Sequence, residues 1–282
     1  MDNWTRVSEF ILLGLSEQPQ QQELLFGLSC SLYLIGCLGN VLTLLAIVSD
    51  PHLHSPMYFF LCNLSLLDIC FTSTTIPKML LNHLSGHTTI SSSACLAQMY
   101  FFIAFGAADS ILLSAMAYDR YLAICCPLQY MTIMSVLRCA SLVVVPWVLS
   151  NLISMVHTIL MTHLSFCTNR IPHFFCDLNA LIKLSCSDTQ VNKMLVCPQS
   201  GGSGKHSLPV SLTFASSSLY GTIIGVYFNP TSTHTTQRDM AATVMYTMVA
   251  PVLNPFIYSL RNRDLKSALR KLLSENHFVK PL

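Results

Sequence analysis

The sequence predicts an all-α, polytopic membrane helical bundle, and three observations carry that expectation. Charged residues make up only 10% of the 282 residues, where a soluble domain carries about 25%. Hydrophobic residues make up 52%, the mean hydropathy is +0.53, and the apolar residues fall in blocks that reach the roughly 20 residues needed to cross a bilayer core. Lys and Arg collect in two short regions, which marks those regions as cytoplasmic. This composition argues against a soluble enzyme, and a net charge of +2 leaves no basic footprint for nucleic acid.

The chain reads as one membrane domain over residues 1–282. Residues 1–23, MDNWTRVSEFILLGLSEQPQQQE, hold a short apolar run from Phe10 to Leu15 but no basic start and no cleavage site, so no removable signal peptide is expected. Asn3-Trp4-Thr5 is a glycosylation sequon that would place this end outside. The same pattern at Asn63-Leu64-Ser65 lies inside an apolar block and is a chance match. The expected spans are 24–48, ended by Asp50-Pro51, then 57–80, 96–121 and 139–160. A polar, Cys-rich loop follows from Thr162 to about Lys193. A weak span at 208–228 is burdened by Pro209, Ser211, Thr213 and Ser216 to Ser218, and the last span is 240–260. Residues 262–273 have the spacing of a short amphipathic helix with basic residues on its polar side, suited to a membrane surface.

Arg120 and Arg138 flank the loop between the third and fourth spans, and Arg261, Arg263, Lys266, Arg270 and Lys271 crowd the tail. Both regions should be cytoplasmic, with the N-terminus outside. An outside start and an inside end need an odd number of crossings. Six blocks break that rule, so one helix is missing or one block does not span.

Charges at membrane depth are costly and point to function. Asp68 lies 11 residues from Met57, and Asp109 lies 11 residues before Arg120, which puts each about 16 Å deep at 1.5 Å per residue. Asn40, ten residues before Asp50, comes out at about 15 Å. Three polar groups at one depth suggest a hydrated pocket where two carboxylates would take Na⁺, or where one would stay protonated. A hydrogen-bonded packing cluster is the plainer alternative, and the two are compatible. At the end of the third span stands MAYDRYLAIC, residues 116–125; taken alone, its Arg120 could simply snorkel to the interface. In the last span Asn254-Pro255 and Tyr258 interrupt a helix, and a Pro there loosens a backbone bond into a kink or hinge.

Cys167, Cys176 and Cys186 lie in the outer loop, and Cys95 opens the third span from the same side. Four Cys on an oxidising face can form two disulfides, whereas no CxxC or HxxxH spacing favours a metal. Cys30, Cys37 and Cys62 read as apolar filler. No nucleophile-base pair, phosphate loop or pair of catalytic acids is found, so no enzymatic activity is expected.

Together PMYFFLCNLSLLDIC (56–70), MAYDRYLAIC (116–125), KLSCSDT (183–189) and LNPFIYSLRN (253–262) closely resemble the vertebrate olfactory receptors, rhodopsin-like G-protein-coupled receptors of seven helices. The resemblance runs from residue 1 to about 192 and resumes near Leu219. It implies that Asp119, Arg120 and Tyr121 hold the inactive state and then meet the G protein. It implies an ion site at Asp68 and Asp109, joined here with Asn40, and an activation hinge at Asn254, Pro255 and Tyr258. It pairs Cys95 with Cys176 and Cys167 with Cys186, and it sets the odorant pocket near Phe102, Ile103, Gly106 and Tyr220. The expected partners are a small, mostly apolar volatile, a stimulatory G protein that raises cyclic AMP, and the bilayer. The expected location is the plasma membrane, with the N-terminus extracellular, or the endoplasmic reticulum if the chain is retained.

Where the resemblance expects a fifth helix and the start of a sixth, the sequence has VCPQSGGSGKHSLPVSLTFASSS, residues 196–218. The fold implied is therefore a seven-helix fold reduced to about six. Back-translated and read one frame over, Ser203 to Phe214 can spell WKAFSTCVSHL, close to the expected beginning of the sixth helix. The segment reads as an out-of-frame version of that start, the mark of a defective gene. An inserted artificial linker is the rival. Either way the receptor activity is expected to be impaired. The alternative from another class is a small ion-coupled transporter or channel using Asp68 and Asp109, although neither inverted repeats nor broken helix pairs support it.

Overall fold

The computed structural model describes residues 7–14, 19–187, 189 and 243–275. Asn3, Tyr220, the weak span 208–228 and the anomalous segment 196–218 lie outside these, as do residues 240–242 of the last span. A strand β1 (Glu9–Leu12) precedes the long helix α1 (Pro19–Ser49), a 3₁₀ turn (Pro51–Leu53) and α2 (Pro56–Ser85). Strand β2 (Thr89–Ser91), α3 (Ser92–Cys125), a one-turn α4 (Tyr130–Ile133) and α5 (Val136–Thr162) come next. After β3 (Arg170–Ile171) and α6 (Leu178–Lys183), the described chain resumes with a π turn (Met245–Val249), α7 (Ala250–Arg261) and α8 (Arg263–Glu275). Among the described residues α1, α2, α3 and α5 are long and apolar enough to cross a membrane.

These helices run several residues past the expected spans, and their caps explain why. Hydropathy reports only the immersed length, while the backbone continues until its end groups find partners. Ser91 opens α3 by accepting from the N–H of Ala94 at 3.3 Å. Helix α2 starts at Pro56, a position where a missing N–H costs nothing, and stops at Gly86, whose φ of 67° suits glycine. The carboxylate of Asp50 accepts from the backbone N–H of His52 at 3.0 Å and makes a 2.9 Å contact with its ring, setting the turn after α1.

The bundle carries a small sheet that the helical pattern did not foretell. β1 is central, antiparallel to β2 and parallel to β3. The first three residues of the apolar run that begins at Phe10 belong to this strand. Phe10 and Leu12 point inward and are buried, while Glu9 is exposed, the period-two alternation of a half-covered strand. Two disulfides close the same end: Cys95–Cys176, spanning 81 residues, and Cys167–Cys186, spanning 19. Asp177 caps α6 by accepting from the Ala180 N–H at 3.0 Å.

Prolines explain the π turn. Pro251 has no N–H for the carbonyl four residues back, and just before it the backbone slips to a wider spacing, with the Ala250 N–H reaching the Met245 carbonyl. Asn262 then breaks the chain direction and caps α8, its Oδ1 accepting from the N–H groups of Asp264 and Leu265 at 2.9 and 3.2 Å. Leu265 and Ala268, three residues apart on one face of α8, are buried in one core cluster with Tyr58 and Leu61. Lys266 and Arg270 remain exposed. Much of the apolar surface of α1 and α5 faces outward, including Leu34, Leu38, Val48, Val144 and Leu152, as helices in contact with lipid require.

Candidate functional site

Polar groups gather halfway along the bundle. Asn254 of α7 turns its Nδ2 toward α2 and donates to both carboxylate oxygens of Asp68 at 3.1 Å. Asp109 of α3 is buried and lies within Coulombic reach of Asp68. These three residues therefore join α2, α3 and α7 at one level. The side-chain nitrogen of Asn40 is engaged between α1 and α7. Pro255 cannot donate to the carbonyl of Pro251 four residues back, and Asn40 Nδ2 fills the vacancy, donating to Pro251 O at 3.1 Å and to Gly36 O at 3.0 Å. Close approach of α1 and α7 makes this reach feasible. A Cβ on Gly36 would stand 2.8 Å from Val252 Cγ2, and one on Gly39 3.3 Å from Pro255 Cγ. Tyr258 lies on α7, its side chain outside the described part.

Among the described residues no group of three His, Cys, Asp or Glu side chains is placed to hold a metal. The two carboxylates supply the charge a sodium ion needs, but both oxygens of Asp68 already accept from Asn254. A cation at this point would therefore compete with the α2–α7 link.

At the end of the bundle away from the disulfides Asp119 is buried, and its partner is Tyr130 of α4, whose Oη donates to Asp119 Oδ1 at 2.7 Å. Burial first, and then the bond to Asp119, push the Tyr130 phenol well above its usual range. Arg120 is exposed and rests its guanidinium against Met57 Sδ at the start of α2. Next to Met57, Tyr58 Oη donates to Asn262 Oδ1 at 3.0 Å, so the residue that caps α8 is also tied to α2. Tyr121 is 45% exposed, and its side chain faces away from this network. Tyr58, Tyr130 and Asn262 escaped the sequence reading. Each carries a polar tip at a helix end, a signal too common to single out without coordinates.

Of the residues read as an odorant pocket, Phe102 and Gly106 stand at an aromatic cluster, and Tyr220 lies outside the described residues. Phe102 packs against Phe71 and Phe175 with ring centroids 5.0 and 4.6 Å apart. Gly106 lies under Tyr246, whose Oη donates to the Gly106 carbonyl at 3.3 Å, and a Cβ there would meet that Oη at 2.8 Å. Ile103 packs with the outer cluster around Cys95 and Met99. Gln98, which the sequence gave no reason to choose, ties the outer loop down: its Oε1 accepts from the Cys176 N–H at 3.0 Å and its Nε2 donates to Thr74 O at 3.0 Å.

The family model described as 7 transmembrane receptor (rhodopsin family) matches residues 39–198. Olfactory receptor 1f45 of Rattus norvegicus is 50% identical over 96% of each chain. Olfactory receptor 1N2 of Homo sapiens is 49% identical over 96% of this chain and 95% of its own. The chain belongs to the olfactory receptors of the rhodopsin family. Olfactory receptor 1N1 of Homo sapiens, 47% identical, extends the match to 99% of both chains. This family consists of multi-pass membrane signalling receptors, not enzymes. The alignments of 306 to 309 positions take in only 96 to 99% of the 282 residues of this chain, about 271 to 279 residues, so about 30 to 37 positions of these olfactory receptors face no residue here.

Proposed function

We propose that this olfactory-receptor chain is organised to bind a small, mostly apolar volatile and to signal through a stimulatory G protein to cyclic AMP, and that it is impaired in doing so. The observation that carries the first half is the linked pair of switches. Asn254–Asp68 and Asn40–Pro251 hold α7 against α2 and α1, while Tyr130 holds Asp119 beside Arg120. An odorant near Phe102 and Gly106 would bear on Tyr246, eight residues before Asn254 on the same run of chain. Releasing Asn254 and Tyr130 would free α7 and the cytoplasmic end of α3 for the G protein. Sodium at Asp68 and Asp109 would compete with Asn254 for the Asp68 carboxylate and so bear on the same switch.

The second half rests on length. About 30 to 37 aligned positions without a counterpart are enough for a membrane helix of roughly 20 residues and its adjoining loop. We assign the gap to the fifth helix and the loop after it, at 196–218. The chain would sit in the plasma membrane with Asn3 and both disulfides outside and Arg120, Arg138 and α8 inside, or be held in the endoplasmic reticulum. An epitope tag at the C-terminus, stained in intact and permeabilised cells with the Asn3 glycan scored alongside, tests this arrangement. A tag visible only after permeabilisation is expected. A tag visible on intact cells would overturn it. Sodium flux independent of any G protein would favour the transporter reading instead.

A further inference from the structure

The connection between α3 and α5 carries no charge of its own. From Tyr121 to Leu137 the chain reads YLAICCPLQYMTIMSVL, without one Asp, Glu, Lys, Arg or His, and Arg120 and Arg138 bracket it. The turn that joins α1 and α2 lies at the same end of the bundle, since Arg120 touches Met57, and it is built differently: Asp50, His52 and His54 fall within six residues. One side of the uncharged connection is pinned to the bundle. Tyr130 holds Asp119, Met134 is buried, and Ile133 packs against the same core. The other side is bare, with Leu128 98%, Val136 88% and Leu137 81% exposed, and Ile124 and Met131 largely so.

Large apolar side chains standing this open in water are unfavourable, and a patch of them marks an interaction surface. Two features say what covers this one. Leu137 begins an outward stripe of α5 that continues through Val144, Val148 and Leu152, at the spacing of a single helix face, so the patch is continuous with the lipid-facing surface of the bundle. Tyr118 and Tyr121 point outward near the end of α3; tyrosine favours the headgroup level of a bilayer, and Ile124 follows Tyr121 by about one turn. We propose that the connection from Ile124 to Leu137 lies in the surface layer of the phospholipid bilayer, with Leu128, Met131, Val136 and Leu137 immersed at the boundary between headgroups and acyl chains. Arg138 Nη1 donates to the Ile133 carbonyl at 3.3 Å, and the other donors of its guanidinium are left for lipid phosphates. Lipid then holds from outside the same turn that Tyr130 ties to Asp119 from inside. The region that reads as an aqueous loop between two spans is thereby a third apolar contact with the membrane.

The probe is a phosphatidylcholine with a diazirine in its acyl chain, irradiated in nanodiscs that hold one full chain each and mapped by mass spectrometry. The stretch of α5 from Val144 to Leu152 should be labelled and serves as the internal reference. Crosslinks on Ile124–Leu137 should exceed those on Asp50–Ser55 by roughly tenfold, the partition expected for burying one such side chain. Both connections stand at the same end of the bundle, so the comparison does not depend on which side of the membrane that end faces. The double substitution Leu128→Asp and Leu137→Asp should bring the labelling of Ile124–Leu137 down to the level of Asp50–Ser55; both side chains are too exposed for the exchange to disturb the packing. Equal labelling of the two connections in the unsubstituted chain would place Ile124–Leu137 in water and overturn the proposal. Absence of labelling there because protein covers the patch would overturn it too, as would undiminished labelling of the doubly substituted chain. The comparison within the unsubstituted chain stands even if the substituted one fails to fold.

Discussion

At Pro255 the helix loses a donor, and the consequence is carried by one residue on another helix. Asn40 supplies the missing hydrogen bond to Pro251 O, so its contribution should depend on the proline. Asn40→Ala is expected to cost about 1–3 kcal/mol, read as a lower Tm of the purified chain. In a Pro255→Ala background the helix recovers its own N–H, and the same substitution should cost less than half as much; equal costs in both backgrounds would refute the pairing. Tyr130 behaves in a comparable way toward Asp119. The sign of its shift is that of a raised acid: the neutral donor is the form present below the usual phenol value of about 10, and the bond fails only as pH rises through the higher folded value. The Asp119–Tyr130 link should therefore be constant across the physiological range. In an ultraviolet titration Tyr130→Phe should remove one late-titrating phenol, and loss of an early-titrating one would contradict the assignment.

Helices α1 and α7 meet through glycine. The Cβ of any other residue at position 36 would stand 2.8 Å from Val252 Cγ2, so Gly36→Val should destabilise the pair by about 1–3 kcal/mol and loosen α7 toward proteolysis. Helix α8 depends on Leu265, which is fully buried against the core cluster of Tyr58 and Leu61. Leu265→Ala should cost about 2–5 kcal/mol and expose the tail to proteases before the rest of the chain. At this scale the sequence is a good guide to some elements and silent on others. A membrane helix needs a long apolar run, so α1, α2, α3 and α5 are visible in composition alone, and the amphipathic spacing of α8 is equally plain. β1, β2 and β3 are two to four residues long, too short for any pattern to rise above chance. The depths of Asp68 and Asp109 could be counted from helix ends, which is why their neighbourhood was legible. The hydrogen bond from Asn40 to Pro251 was not, because it depends on how closely α1 approaches α7. Tyr130 was hidden for the same reason: its role depends on where a one-turn helix sits beneath α3.

Taken whole, the chain keeps two disulfides at one end, the buried polar contacts between α2 and α7, and the Asp119–Tyr130 link at the other end, and it lacks about 30 to 37 positions that its olfactory-receptor relatives have. What is present is enough to specify the family. What is missing is of the size of one crossing and its loop, and under the proposed function it is a helix whose end would form part of the G-protein cleft. Cyclic AMP should therefore respond differently in two chains compared side by side. One is the chain as it stands; in the other, residues 196–218 are replaced by the corresponding stretch of human Olfactory receptor 1N1. Both are screened in the same cells against the same panel of volatiles. The account predicts a silent chain and a repaired one that reaches the surface and raises cyclic AMP; an odorant-dependent response from the unrepaired chain would contradict it.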